Sequence, residues 1–492
     1  MIAPTILFFG GFLKLYYSIP GIILILVAYY FASKEKNEDT EGDSFAIISP
    51  KFLIIIAVIV FFWCYLGGQG GLFYQSNDWP WRNATFYDLI FKSWPVKYES
   101  ANAALVYYIG HWLPAAVIGK IYFFITGNLN WAWRIAKLAL WLWTALGIYI
   151  VILLLSIKFK IKTKKPLIIT LVIFILFSGL DIIGAIWNNS LQECLSVDVL
   201  HLEWWANGFQ FSSITTCLFW VFNQAIIPWV ATACYLNEKR MSNYMFIGIS
   251  CLCCGPFPFI GLALNMIGVG LLKLIRSFKY KKIVLWIKEI LSIQNVIFLV
   301  IVFPVFLIYY MSNSAIGETP TSNETNVTLI DTIVKNFSDP KYLMFILLEF
   351  GLYILIIWKD HKKDIKFYSA IFILLMVSQI NVGVSNDFEM RASIPSIFIL
   401  MTMCIQFVLV RVTHFRIQKI YDKVLLASLI LALTIGAMTP VVEVYRGFYH
   451  VVTERTLMLQ QHSIVSFDNG EVAINFMTSD YKNKLFFKYL AK

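Results

Sequence analysis

Long apolar runs alternate with short polar segments along most of this chain. A helix that crosses a bilayer needs about 20 apolar residues, so each run is a candidate membrane span. Ten runs qualify: 16–32, 45–66, 131–156, 167–187, 213–236, 294–311, 342–358, 367–384, 397–413 and 424–442. Two further segments, 101–125 and 245–274, are apolar but carry prolines and charged side chains. The pattern predicts an all-α fold, a polytopic transmembrane bundle of about 11 to 13 helices.

The overall composition argues against a soluble fold. The chain has 492 residues, of which 59% are hydrophobic and 14% charged, whereas soluble domains are about 25% charged. Mean hydropathy is +0.71. A soluble core could not remove this much apolar surface from water, so lipid is predicted to be the solvent. The protein is therefore expected to be an integral membrane protein whose first partner is the lipid bilayer.

Lysine and arginine are concentrated in a few polar segments, and these set the predicted orientation. The basic segments are 158–165, 273–288, 359–366 and 411–423. The positive-inside rule assigns them to the cytoplasmic side. The segments 188–211, 312–341 and 385–396 have few or no basic residues and are predicted to face outward. The same rule accounts for the net charge of +11, so no nucleic-acid partner is predicted.

Two apolar segments cannot be simple crossings under this orientation. Residues 67–100 must be outside and the loop 158–165 inside, which leaves room for only one crossing between them. The span 131–156 fits that crossing better, so 101–125 is predicted to be an interfacial or re-entrant element on the outer side. Both ends of 245–274 are cytoplasmic, so this segment is predicted to turn back at Gly255–Pro258.

The chain is accordingly divided into three parts. Residues 1–44 form an N-terminal membrane segment and a short loop, and the side on which they lie stays open because 33–44 is net acidic. Residues 45–442 form the transmembrane module, with a long outer loop at 67–130. Residues 443–492 follow a span that exits outward, so this polar tail is predicted to be extracytoplasmic.

A polar and aromatic stretch in the first outer loop carries the most informative chemistry. Asp78 is followed by Trp79 and Pro80, which is typical of a helix N-cap with proline in the first turn. A carboxylate at the outer rim of the membrane could also accept a proton from an incoming hydroxyl. Arg82 lies four residues on and can pair with Asp78 or contact an anionic ligand. The sequence leaves these alternatives open.

The layout of this region resembles the GT-C superfamily of membrane glycosyltransferases. An acidic residue in the first outer loop is followed by surface helices and then by a crossing helix. The stretch from Trp94-Pro95-Val96 to Leu105-Val106-Tyr107-Tyr108 and on to Pro114 is similar to the helix that follows the acidic loop in that superfamily. The stretches 177–181, 201–205 and 386–395 are similar to segments of uncharacterised bacterial members. The resemblance covers the layout of roughly residues 45–440.

The resemblance implies a function and a catalytic residue. Members take sugars from polyprenyl-phosphate donors on the outer side of the membrane, and the acidic residue of the first outer loop is their catalytic base. By position that residue is Asp78. Many members carry two acidic residues together, whereas this chain has Asn77-Asp78, with Asp88 further on as a predicted substrate contact. The resemblance leaves a divalent cation open as a cofactor, and no metal ligand is assigned.

Further outward-facing polar residues are candidate substrate contacts. His201 and Glu203 lie beside Trp204 and Trp205. Aromatic rings next to polar groups suit the faces of sugars, although tryptophan is common at membrane interfaces in any case. Asp387 and Arg391 are four residues apart, so they can form an ordinary ion pair. Because an arginine fork also matches phosphate geometry, contact with the donor phosphate is the alternative.

The predicted function is therefore inverting sugar transfer from a polyprenyl-phosphate donor to a glycan, lipid or protein hydroxyl outside the membrane, with Asp78 as general base. A bacterial plasma membrane is the expected location. The main rival is a lipid-linked glycan flippase or another transporter, which would use the intramembrane carboxyl groups of Asp181 and Glu349. A glycan polymerase or ligase and a non-catalytic scaffold are further alternatives.

Overall fold

A computed structural model describes most of the chain. The described residues are 1–34, 49–196, 201–206, 208–316, 329–380, 382, 387–413, 415, 419–454, 462–466 and 474–492. Residues 35–44 of the N-terminal segment and parts of the outer loops 188–211, 312–341 and 385–396 lie outside this set.

Helices make up nearly all of the regular structure. In the first half they are α1 (Ala3–Phe12), α2 (Leu15–Lys34), α3 (Pro50–Leu66), α4 (Trp79–Phe91), α5 (Leu113–Thr126), α6 (Leu129–Lys158), α7 (Lys164–Leu176), α8 (Asp181–Asn188), α9 (Leu191–Cys194), α10 (Ile214–Asn237), α11 (Tyr244–Ser250) and α12 (Pro256–Lys279). In the second half they are α13 (Ile283–Ile290), α14 (Ile293–Ile297), α15 (Phe303–Tyr310), α16 (Leu329–Ser338), α17 (Pro340–Ile346), α18 (Leu352–His361), α19 (Ile365–Val377), α20 (Asp387–Ala392), α21 (Ile394–Thr413), α22 (Ile420–Gly436) and α23 (Met438–Glu454). The strands are β1 (Lys97–Tyr98), β2 (Ala103–Leu105) and β3 (Met477–Ser479).

The prediction of a polytopic all-α bundle is confirmed. Within the described ranges, nine helical segments are long and apolar enough to cross a membrane, and α1, α3, α5 and α19 are shorter apolar helices. The side chains of Ile54, Val58 and Phe62 are exposed at successive turns of α3. Apolar side chains at this spacing share one helix face, and such a face would be costly to expose to water. The protein is an integral membrane protein.

The segment 245–274 turns back where the sequence predicts. The short helix α11 ends at Ser250, and α12 begins at Pro256 after an irregular turn. The two arms differ in length, since α11 has 7 residues and α12 has 24. Both prolines of α12, Pro256 and Pro258, fall in the first turn of the helix. Proline is tolerated there because the first N–H groups have no partner within the helix.

Several spans contain irregular backbone. Residues 177–180 separate α7 from α8, and α10 has a kink at Val221. A π-helical turn at Leu347–Gly351 joins α17 to α18. Neighbouring helices provide hydrogen-bond partners for the backbone groups at these breaks. Leu180 N donates to Leu348 O at 3.0 Å, and the Tyr353 hydroxyl donates to Ser178 O at 2.9 Å. Non-helical backbone at membrane depth is tolerated when protein provides such partners.

A small sheet joins the C-terminal tail to the first outer loop. The order is β1-β2-β3, antiparallel throughout, with Ala103 opposite Ser479. The N-terminal segment meets the same tail, because Lys14 Nζ donates to Tyr489 O at 3.0 Å and Lys492 N to Phe12 O at 3.1 Å. The junction between α1 and α2, the first outer loop and the tail therefore share one end of the bundle.

Candidate functional site

Asp78 lies at the start of α4, but it does not act as a helix cap. Two glycines in left-handed conformation, Gly68 (φ 79°) and Gly71 (φ 67°), shape the turn before it. Pro80 occupies the first turn of α4, as predicted. The Asp78 side chain accepts no capping hydrogen bond and instead pairs with Arg82 Nη2 at 2.8 Å. The carboxylate is 51% exposed while its arginine partner is buried.

A second ion pair of the same kind lies on α20. Arg391 Nη1 is 2.8 Å from Asp387 Oδ2, and the Arg391 side chain is 11% exposed. Each guanidinium group retains a buried nitrogen, Nη1 of Arg82 and Nε of Arg391, that has no hydrogen-bond partner among the described residues. An unpaired buried donor is costly. Each arginine therefore has one nitrogen left to donate to a further anionic or polar group.

Tyr107 lies within electrostatic range of both arginines. Burial and the neighbouring Tyr108 raise the pKa of Tyr107 well above its usual value, and the positive charges of Arg391 and Arg82 act in the opposite direction. Both guanidinium groups are therefore within electrostatic range of one tyrosine. We call Asp78, Arg82, Asp387 and Arg391 the double-arginine site. The fold thus places two charge pairs that are about 300 residues apart in the sequence within electrostatic range of one side chain.

Aromatic rings surround this site. The Arg82 guanidinium lies over the Phe222 ring at 5.9 Å, and Trp79 stacks on the same ring with centroids 4.9 Å apart. Trp81 stacks on Phe476 with centroids 5.5 Å apart, and Tyr107 contacts Phe476 at 4.4 Å. Phe476 precedes β3, so the C-terminal tail contributes directly to the aromatic surroundings. Cation–π contacts of this kind hold an arginine in place while leaving its N–H groups available.

A small cavity adjoins the start of α4. Ser76 and Trp79 line it on one side, and Glu443 and Arg446 of α23 on the other. Its volume is about 10 Å³, which is close to the space that one water molecule needs. Sequence analysis missed Glu443 and Arg446. Two opposite charges three residues apart, just after an apolar run, were the available signal.

His201 and Glu203 occupy different surroundings. His201 Nδ1 lies 3.2 Å from Glu443 Oε1, and its ring contacts Trp204 with centroids 4.4 Å apart. Glu203 is buried, and its carboxylate accepts hydrogen bonds from Ser213 N and Gln210 Nε2, both at 2.9 Å. His201 therefore adjoins the small cavity through Glu443, whereas Glu203 anchors the start of α10.

Asp88 accepts hydrogen bonds that connect the first outer loop to the C-terminal tail. Its Oδ2 atom accepts hydrogen bonds from the Tyr98 hydroxyl at 2.7 Å, the Ser463 hydroxyl at 3.0 Å and Ile464 N at 3.1 Å. The side chain is fully buried. Asp88 lies ten residues after Asp78, which is about 15 Å along α4. These contacts hold the C-terminal tail against the first outer loop.

The intramembrane carboxyl groups of the rival interpretation form a second cluster. Asp181 Oδ2 accepts hydrogen bonds from the Ser178 hydroxyl at 2.7 Å and the Thr439 hydroxyl at 2.8 Å. Glu349 accepts one from Trp205 Nε1 at 3.2 Å, and its carboxyl group lies within electrostatic range of that of Asp181. Both residues are buried. They lie at the broken helix α7–α8 and at the π-helical turn.

The donor set does not fit a divalent cation. Asp78 and Asp387 are each already paired with an arginine. Over the described part of the chain, no three or more histidine, cysteine, aspartate or glutamate side chains are arranged so that they could hold a metal ion. Hard divalent cations take several oxygen ligands. No step is therefore assigned to a metal at the double-arginine site.

Glu203→Gln is expected to flatten the pH dependence of stability. Burial, and next to it the charge of Asp181, raises the pKa of Glu203 to about 8, against about 4.3 in an unfolded chain. Between these values the folded state binds one more proton than the unfolded state, so stability falls as the pH rises. The wild type should lose on the order of 2 to 4 kcal/mol over this range through this group. The thermal midpoint of the wild type and of Glu203→Gln is measured at several pH values in this range. If the midpoint changes with pH equally in both proteins, the assignment to Glu203 is wrong.

The chain was compared with family models, with curated proteins and with solved structures, and none of the three comparisons finds a match.

Proposed function

We propose that this protein is a GT-C-like glycosyltransferase that moves a sugar from a polyprenyl-phosphate donor to an acceptor hydroxyl on the outer side of a bacterial plasma membrane. One observation carries the proposal. Arg82 and Arg391 are buried, each is paired with an aspartate, and each retains an unpartnered nitrogen. A phosphate group presents several charged oxygens and suits such guanidinium donors. A phosphate attached to a lipid is the ligand class that reaches this position in a membrane protein.

The two halves of the site have different exposures, and this supports a division of roles. The Asp78 carboxylate is half exposed, whereas the Arg82 guanidinium beside it is buried. In the proposed reaction Asp78 accepts the proton of the acceptor hydroxyl. The hydroxyl oxygen forms a bond to the anomeric carbon while the bond from that carbon to the phosphate oxygen breaks. The configuration inverts, and the charge that develops on the leaving phosphate is stabilised by Arg82 and Arg391.

Arg391→Gln is expected to weaken binding of a polyprenyl phosphate by about 10- to 100-fold, because a charge-assisted hydrogen bond contributes about 1.5 to 3 kcal/mol. Arg391→Lys keeps the charge but loses the fork, so its effect should be intermediate. Binding is measured with the full chain in lipid nanodiscs. Arg134→Gln is the matched control, since Arg134 is an exposed arginine beside Trp131 near the start of α6.

Two outcomes separate the parts of this proposal. If Arg391→Gln binds the polyprenyl phosphate as tightly as the wild type, the phosphate assignment is wrong. If binding falls but the protein transfers no sugar from any polyprenyl-phosphate donor, the phosphate site stands and the transfer reaction does not.

Lipid-linked glycan flipping or another transport activity is the second candidate. It is favoured by two buried carboxyl groups, Asp181 and Glu349, that lie within electrostatic range of each other at a broken helix and a π-helical turn. Interrupted helices form substrate and ion sites in many transporters, and buried carboxyl groups in spans mark proton paths. Reconstitution into proteoliposomes with an internal pH dye distinguishes the two functions. Proton movement that Asp181→Asn abolishes and Asp78→Asn leaves intact would support transport.

A further inference from the structure

A cavity of about 620 Å³ lies at the lysine-rich end of the bundle. Gln406, Phe407 and Val410, in the last third of α21, contribute to its wall. The same helix begins at Ile394, three residues after Arg391, and runs for 20 residues. A helix of this length spans about 30 Å. The cavity and the double-arginine site are therefore at opposite ends of the same helix, and the basic segments near the cavity face the cytoplasm under the positive-inside rule.

Lysines outnumber carboxylates by one in the lining of this cavity. Four lysines line it, namely Lys239, Lys273, Lys363 and Lys366. Three carboxylates also line it, but Asp360 already forms a two-point ion pair with Arg411 at 2.5 and 3.2 Å. Asp364 caps α19 by accepting a hydrogen bond from Lys366 N at 2.9 Å. The third carboxylate, Glu238, accepts a hydrogen bond from Asn243 Nδ2 at 3.1 Å. Four lysines against three carboxylates leave a formal excess of one positive charge around the cavity.

His361 provides a second and independent indication of a ligand. It lines the cavity, is buried, and its Nε2 atom has no hydrogen-bond partner in the described part of the chain. Buried polar atoms without a partner are uncommon in folded proteins. The other ring nitrogen of His361 bonds the Met403 backbone. Nε2 therefore donates to a phosphate oxygen when the ring is protonated, the form that a bound anion favours.

The cavity wall also has an apolar part. Phe407 is buried, and Val410, one turn further along α21, is 51% exposed. Gln406 is exposed next to them. Because α21 is a membrane span, its exposed side chains near the basic end lie where lipid headgroups meet acyl chains. A ligand that carries both an anionic head and an apolar chain fits this combination.

Some of the lysines also have structural roles. Lys366 Nζ donates to Tyr235 O at 2.8 Å, and Lys273 Nζ donates to Lys239 O at 2.7 Å. The first of these bonds reaches a carbonyl in the last turn of α10, which also accepts a hydrogen bond from Glu238 N at 3.3 Å. Lys366 thus links α19 to the end of α10. Lys363 makes no such backbone bond in the described structure. It is therefore the lysine whose charge can be removed without releasing the end of α10.

We propose that this cavity binds a phosphate group, and that its ligand is the headgroup of an anionic lipid in the cytoplasmic leaflet. Basic pockets between membrane helices on the cytoplasmic side bind such headgroups through lysine ammonium groups. A soluble phosphate compound carries the same chemistry from a different source. The inference goes beyond the proposed sugar transfer and does not depend on it.

The test uses the full chain in nanodiscs of phosphatidylcholine with and without about 20% phosphatidylglycerol, an anionic lipid for which basic residues have affinity. Lipid retained by the protein is measured by native mass spectrometry. Lys363→Gln should weaken phosphatidylglycerol binding about fivefold, as expected for the loss of one lysine near an anionic headgroup. Lys362→Gln is the matched control, because Lys362 is the adjacent exposed lysine and does not line the cavity. Val410→Trp, which fills the apolar wall without changing charge, should also reduce binding.

Addition of inorganic pyrophosphate distinguishes the two sources of phosphate. If pyrophosphate does not displace the bound lipid, the lipid headgroup is the ligand. If it displaces the lipid in the wild type but much less effectively in Lys363→Gln, the cavity takes a soluble phosphate. Equal effects of Lys363→Gln and Lys362→Gln, or equal retention of phosphatidylcholine and phosphatidylglycerol, would overturn the proposal. Sugar transfer is not part of this readout, so the two proposals fail independently.

Discussion

Asp78→Asn is expected to slow sugar transfer by about 10²- to 10⁴-fold, which is the usual effect of removing a general base. Asparagine keeps the size of the side chain and an oxygen for Arg82, so the ion pair is replaced by a hydrogen bond rather than left empty. It cannot take a proton from the acceptor hydroxyl. The rate is measured as release of polyprenyl phosphate from a polyprenyl-phosphate sugar in nanodiscs.

The control for this variant must be another outer carboxylate. Asp480→Asn is suitable because Asp480 has a left-handed backbone (φ 49°), a conformation that asparagine also adopts readily. It should transfer sugar at the wild-type rate. Asp78→Asn should still bind the lipid phosphate, since Arg82 and Arg391 are unchanged. Near-normal transfer by Asp78→Asn would remove Asp78 from the mechanism.

Asp88→Ala is expected to have the largest effect on stability, about 3 to 5 kcal/mol. It leaves Tyr98, Ser463 and Ile464 without their shared acceptor. Burial raises the pKa of Asp88, and the three hydrogen bonds act against this shift. The buried carboxylate is therefore stabilised by these three donors and not by water. Hydrogen exchange measured by mass spectrometry should accelerate in residues 462–466 and in β3.

The conservative variant separates anchoring from substrate contact. Asp88→Asn keeps one carbonyl oxygen, so it should lose only about 1 kcal/mol and keep β3 protected. Asp88→Asn could instead fold normally but bind the sugar donor poorly. That result would show that Asp88 contacts the substrate, as the sequence predicts, and does not only anchor the tail.

The sequence was sufficient for the class of fold and for some local features. Eight of the ten apolar runs coincide with candidate membrane spans, because every backbone group in lipid must be satisfied within a helix. In the described residues, the runs 45–66 and 367–384 form the shorter helices α3 and α19. The turn before α12 follows from Gly255 and Pro256, whose backbone preferences are local. The Asp78–Arg82 and Asp387–Arg391 pairs follow from their four-residue spacing, and both are present in the structure.

The sequence was insufficient for contacts between distant segments. Strands of two and three residues, such as β1 and β3, have no periodicity that could reveal them. Glu443, for example, contacts His201, which lies 242 positions away in the sequence. The role of Asp88 depends on the tail that packs against it, and nothing near Asp88 in the sequence indicates that tail.

The sequence by itself determined that this chain lies in a membrane, which ends of its helices are basic, and which aspartates have an arginine four residues away. Hydropathy, charge asymmetry and helical spacing are local or additive properties, so they can be read without coordinates. Only the tertiary structure decided that Arg82 and Arg391 both lie within electrostatic range of Tyr107, that Asp88 holds the tail, and that four lysines line one cavity. Each of these depends on chain segments that meet only after the helices pack.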